Sequence, residues 1–156
     1  MVSYLHYKSH GEAIMEARRN PTTIALTVLA YVVTTFAVQG ASHFAINTAH
    51  YAAIPIMRTE PVIVMGIASM VIQGFIFAAL FPAFTPGVAT VWDGVKLSWT
   101  LGAFLASYIV LGEAGKYAIP SIPSWIAVEG SVAFVQYTLF GVLLGLIHRR
   151  RPNAFQ

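Results

Sequence analysis

A chain of 156 residues with 57% hydrophobic residues, only 10% charged residues and a mean hydropathy of +0.69 is too apolar for a soluble domain, where about a quarter of residues carry charge. Its net charge of +3 and pI of about 9.4 would direct a soluble chain to nucleic acid; here the bases gather at the two ends beside apolar runs, and orientation in a membrane accounts for them. The lack of cysteine excludes disulfides, thiolate metal sites and a cysteine nucleophile.

Four apolar runs are separated by short polar or Pro/Gly-marked joints. A bilayer core about 30 Å thick is crossed by roughly 20 apolar helical residues, which satisfy their own backbone hydrogen bonds in lipid. The runs, at about 22–39, 61–84, 95–111 and 124–147, predict an all-α polytopic membrane protein. It is expected to be one four-transmembrane-helix bundle over residues 21–148, between an N-terminal segment (1–20) and a basic tail (149–156), both cytoplasmic.

Residues 1–20 place Tyr4, Tyr7, Gly11, Ile14 and Met15 near one another at helical spacing, with Lys8, Glu12, Glu16 and Arg19 on a more polar side. They form either an interfacial helix on the cytoplasmic face or a mobile tail. Glu12 and Glu16 sit among the bases and the first run is long enough to span, so a retained helix is expected rather than a cleaved signal. Asn20-Pro21 supplies an N-cap followed by proline at the first helical position, where its missing N–H costs nothing. The stretch 40–59 is apolar but carries His43, Asn47 and His50; it either prolongs the first helix or folds over the outer surface as a short cap. Pro61 is expected to open the second helix, Pro82 and Pro86-Gly87 to end it, and Pro123 or Ser124 to open the fourth. Trp92, Trp99 and Trp125 lie near run ends, where amphipathic rings favour the interface, although Trp99 is deep enough to serve in packing.

Orientation follows from the bases. Lys8, Arg18 and Arg19 precede the first run, and Arg149, Arg150 and Arg151 follow the fourth, so the positive-inside rule makes both ends cytoplasmic. The joint with Asp93 and Lys96 is then cytoplasmic too, while the pairs Arg58 with Glu60 and Glu113 with Lys116 face outward.

Small residues sit where helices would touch: Gly141 and Gly145 form a GxxxG in the fourth run, and Gly102 and Ala106 a similar pair in the third. Such spacing lets backbones approach in lipid. Contact within this bundle is the expected use, and a dimer face is the alternative.

Glu129 is the main candidate for function. It lies in the fourth run about six positions past Pro123, roughly 9 Å along a helix, where a carboxylate is costly unless paired, protonated or facing water. Gln136 shares its face seven positions on, with Ser131 and Tyr137 nearby; Gly66, Ser69 and Gln73 make a polar stripe on the second run. Together they are expected to line a small polar cavity opening outward. The architectural alternative pairs Glu129 with Arg58, which precedes the second run on the same side, or keeps it protonated and hydrogen-bonded, with the amides acting as interhelical glue.

His43 and His50 are seven apart, about 10.5 Å on a continuous helix, too far for one metal ion. His6 and His10 have ligand spacing but no third ligand near in sequence, and His148 lies at the cytoplasmic end. His43 stands as the only haem or metal candidate, and no cofactor is indicated. No phosphate-cradling loop, GxSxG or clustered carboxylate pair appears, so no enzyme is expected.

Arg58-Thr-Glu-Pro61 leading into Gly66-Ile-Ala-Ser69 and Gln73-Gly74, then a Pro/Gly-rich joint and Gly94-Val-Lys-Leu, with Trp125, Glu129 and Gly141–Leu146 beyond, resembles small uncharacterised bacterial four-helix inner-membrane proteins. The resemblance covers about the last hundred residues. It implies fold and bacterial inner-membrane origin, and no activity. Two functions fit the residues. The favoured one is a non-enzymatic accessory or assembly subunit that packs against other membrane components; the expected partners are the lipid bilayer and another membrane protein or, for a homo-oligomer, a second copy. The alternative is a small transporter or channel for a proton, cation or small polar solute, using Glu129, Gln136 and Gln73. Neither involves nucleic acid.

Overall fold

The computed structural model describes residues 20–58 and 60–149. The expected interfacial helix, His6, His10 and the tail after Arg149 lie outside them. Helix α1 (Pro21–Ala41) begins as its sequence requires: the Asn20 side chain accepts from the Thr22 N–H at 2.8 Å, and Pro21 takes the first helical position. A π turn (Ser42–Ile46), closed by the Asn47 N–H on the Ser42 carbonyl at 2.8 Å, carries the span onward. The chain then bends at Asn47 into the short helix α2 (Thr48–Ala52). The stretch after residue 40 therefore both prolongs the first helix and caps it.

Helix α3 (Ile63–Phe84) starts two residues past Pro61 because Val62 takes the N-cap position. Pro82 does not end it but lies buried in its last turn; the helix stops at Phe84, where Thr85 leaves helical geometry. Helix α4 (Val91–Ser107) starts earlier than the hydropathy run, because Thr90 and Asp93 form a reciprocal capping box (Thr90 N–H to Asp93 Oδ2, 2.9 Å). It continues through a second π turn (Tyr108–Glu113) into α5 (Ala114–Lys116). Helix α6 (Ile122–His148) is capped by Ser121, with Pro123 in its first turn. Four helical stretches, Pro21–Ile46, Ile63–Phe84, Val91–Lys116 and Ile122–His148, are long and apolar enough to cross a membrane. No strand occurs among the described residues.

The four spans are joined in the order α3, α1, α6, α4, and α3 touches α4 only sparsely. The closest union is α4 with α6. A Cβ placed on Gly94 would lie 2.3 Å from the Gly141 carbonyl oxygen and the Gly145 nitrogen, so the backbones are in direct contact and the GxxxG is used inside the bundle. Gly102 leaves room for the Tyr137 ring, 2.4 Å from where its Cβ would stand. Ser98 Oγ donates to the Tyr137 carbonyl at 2.7 Å and locks the same seam. On the other side Gly74 of α3 rests on Val28 of α1.

Thr27 Oγ1 lies 3.1 Å from His148 Nε2, so the start of α1 and the finish of α6 share one end of the bundle, the terminal end; α2 lies at the opposite, cap end. Tyr31, Phe77, Phe81, Phe140 and Leu144 form the core, with Tyr31 edge-on to Phe140 at 4.8 Å. A second cluster of Tyr51, Ile54, Ala114 and Trp125 closes the cap end.

Candidate functional site

One face of α1 and of the π turn that continues it carries Thr27, Tyr31, Thr35, Gln39 and Ser42, spaced by three or four residues and turned inward. Such a stripe must find partners in an apolar bundle. It finds them on α3, α6 and the cap. Gln39 Nε2 donates to Gln136 Oε1 at 2.8 Å, and Gln136 Nε2 donates to Thr35 Oγ1 at 3.1 Å. The Tyr31 hydroxyl donates to Gln73 Oε1 and Gln73 Nε2 to Ser69 Oγ at 3.0 Å; the Tyr137 hydroxyl stands 3.5 Å from that of Tyr31.

Around these groups lies a cavity of about 230 Å³ that receives residues from all four spans. Glu129, Gln136, Gln73 and Ser69 line it together with Gly66, Thr35, Gln39 and Tyr137. Residues of the second and fourth runs that are far apart in the chain thus line one cavity. Ala106 is part of the lining, whereas Gly102, Gly141 and Gly145 serve the α4–α6 contact.

Glu129 is 8% exposed and accepts from the Tyr51 hydroxyl at 2.8 Å. Since that proton is committed to the carboxyl, the Ser42 hydroxyl donates to the Tyr51 oxygen (3.1 Å), and Asn47 Nδ2 donates to Ser42 Oγ at 2.9 Å. A directional relay therefore runs from the cap to the acid. Burial pushes the Tyr51 phenol above its ordinary pKa, which keeps it a donor.

The expected Arg58–Glu129 pair does not form. Tyr51 occupies the place over the carboxyl, and Arg58 is exposed on the connection to α3. Among the described residues the only ion pair is Asp93–Lys96, at 2.8 Å near the start of α4. Glu113 and Lys116 are not paired in this way; Lys116 lies over the Tyr117 ring, 5.2 Å from its centroid. Arg58 instead borders a vestibule of about 690 Å³ at the cap, with His43, Tyr51, Ile54 and Met57. Tyr51 is the wall between vestibule and cavity, since it lines the first and bonds the acid of the second.

The bend at Asn47 brings His43 and His50 to either side of Tyr51: His43 stacks on its ring at 3.6 Å, and His50 meets it edge-on at 5.2 Å. His50 Nδ1 is 3.2 Å from Ser124 Oγ. No group of three His, Cys, Asp or Glu side chains stands together among the described residues. Trp99 packs rather than marking an interface: its indole donates to Thr138 Oγ1 at 3.0 Å and its ring stacks on Phe134.

No family model, curated protein or solved structure matches this chain. The chemistry has to be taken from the cavity itself. Among the described residues its lining holds one carboxyl, amides and hydroxyls, and no Lys, Arg or His. Such a set can hold a proton, a cation or a neutral hydrogen-bonding group, and it repels anions. Toward the terminal end the space is shut by Tyr31, Phe77, Phe81 and Phe140, each at most 1% exposed.

Tyr51 and the α1 stripe were not among the sequence-based candidates. The recurrence of polar residues every four positions from Thr27 to Gln39 is the signal that would have found the stripe.

Proposed function

We propose that this is a small multi-pass membrane protein of the transporter or channel kind, which takes a proton, cation or small polar solute at Glu129. The supporting observation is the convergence of Glu129, Gln136, Gln73 and Ser69 on one closed-ended cavity. An acid at this depth is expensive to keep unless it is used, and four helices contribute to the space around it. We further infer from the basic residues flanking the first and fourth spans that both termini are cytoplasmic, and from the sequence resemblance that the membrane is a bacterial inner membrane.

The test is flux into proteoliposomes at a set pH gradient, comparing the wild type with Glu129→Gln. The amide keeps an acceptor for Tyr51, so the fold should persist while pH-driven flux disappears. Equal flux from both proteins would overturn the assignment.

An accessory or assembly role is the second reading, and one feature favours it: α3 is an edge helix, held by α1 and barely by α4. Its outward residues Val64, Met65 and Ile72 are all more than 60% exposed within the bundle. Recovery from native membranes in a fixed stoichiometry with another protein would select this role; recovery as a monomer or homodimer would remove it.

A further inference from the structure

We propose that the Glu129 cavity is filled sideways from the lipid, and that its ligand is a lipid-soluble amine, an apolar chain or ring bearing a cationic hydrogen-bonding head. The proposal rests on the reading of Glu129 as the binding acid and adds the ligand class and its route.

The route follows from where the walls are missing. Gly66 and Ser69 of α3 and Ile109 of the second π turn all border the cavity and are exposed. They lie within the apolar spans, on the seam where α3 and α4 scarcely touch. The mouth therefore opens at membrane depth. The cap side is closed: Tyr51 is 7% exposed, hydrogen-bonded to the acid and stacked on His43. A solute arriving from water through the vestibule would have to break both contacts, whereas one arriving through lipid would break neither.

The ligand class follows from what adjoins the acid. A second slot of about 240 Å³ lies between α4 and α6, bordered by Trp99, Gly102, Gly130 and Phe134. It shares Ala106, Ala133 and Tyr137 with the polar cavity, so an apolar space stands against a polar one across two methyl groups and a phenol ring. A molecule with a polar head and an apolar body matches this pair of spaces. The single carboxyl, with no basic side chain among the described residues of the lining, sets the sign of the head: cationic groups are favoured and carboxylates disfavoured.

The experiment uses the full chain in lipid nanodiscs and measures saturable binding of radiolabelled decylamine, corrected for partition into empty discs. Unlabelled decylamine, decanol, decanoate and ethylamine compete; the first three share a tail and differ in the head, and ethylamine shares the head without the tail. The expected order is decylamine, then decanol, with decanoate weakest of the three and ethylamine more than about tenfold weaker than decylamine. Glu129→Gln should erase the advantage of decylamine over decanol. Gly66→Phe, at a position with open space around its Cβ, should obstruct the mouth and weaken decylamine while leaving the acid in place. If ethylamine competes as well as decylamine and Gly66→Phe changes nothing, the lateral route and the lipid-soluble ligand fall, and Glu129 remains a binding acid. Preference for decanoate overturns the ligand's charge. Absence of saturable decylamine binding overturns the proposal, while pH-driven flux that Glu129→Gln abolishes would keep the reading of Glu129 beneath it; absence of both removes the two together.

Discussion

The hydroxyl of Tyr51 donates to the carboxyl of Glu129 at 2.8 Å across 78 positions of chain. This bond ties the short cap helix α2 to the long helix α6, and it gives a buried acid the partner that lipid cannot supply. It also divides the cap vestibule from the interior cavity, so one contact serves structure and access together.

Removing that hydroxyl with Tyr51→Phe should cost about 1 kcal/mol, because a hydrogen bond inside a membrane protein is worth little more than this on average. A double-mutant cycle with Glu129→Leu, measured by reversible unfolding in mixed micelles, should give a coupling of similar size. Strict additivity would mean that the contact contributes no stability.

Glycine substitutions should separate sharply by position. Gly94→Ala and Gly141→Ala drive a methyl into a facing backbone and should each destabilise by about 1–3 kcal/mol or more. Gly130→Ala meets nothing within 4 Å and should be neutral or gain up to about 1 kcal/mol from helix propensity. Thermal unfolding in one detergent compares all three; an unaffected Gly141→Ala would contradict the α4–α6 contact.

Arg58→Ala should leave stability within about 0.5 kcal/mol of wild type, as expected for an exposed side chain outside any ion pair among the described residues. A loss of several kcal/mol in the same unfolding measurement would reveal a carboxylate partner after all.

The cysteine-free sequence makes topology directly measurable. Single replacements Arg58→Cys and Val88→Cys fall on connections at opposite ends of the bundle, before and after α3. An impermeant maleimide applied to intact cells should label the first and spare the second. The reverse pattern would invert the proposed orientation.

The four long apolar helices were legible because runs of some 20 apolar residues suit helices long enough to cross a membrane, and helix starts were legible wherever a cap was written into the chain, as at Asn20-Pro21. The capping pair Thr90 and Asp93 was equally readable but is overridden by a hydropathy window, which placed the start of α4 late. Glu129 stood out by its cost in lipid. Its partner did not, because Tyr51 reaches it only after a π turn and a bend at Asn47 that local propensity does not specify. Arg58 looked plausible by topology alone; the path of the chain carries it past the acid to the surface. Pro82 was read as a stop, yet a proline in a final helical turn forfeits a single backbone bond and can stay inside the helix.

The polar stripe of α1 has a consequence for the making of the protein. Gln39 and Thr35 find Gln136 about a hundred positions later, and Thr27 meets His148 at the far end of α6. In the proposed membrane topology the first helix enters the bilayer well before the last one exists, with amide and hydroxyl groups still waiting for their counterparts. Until α6 is released from the ribosome, α3 is the neighbour that covers α1 most extensively among the described residues. A chain cut short before α6 would present those polar groups to lipid, a mark by which membrane quality control could tell an unfinished molecule from a finished one.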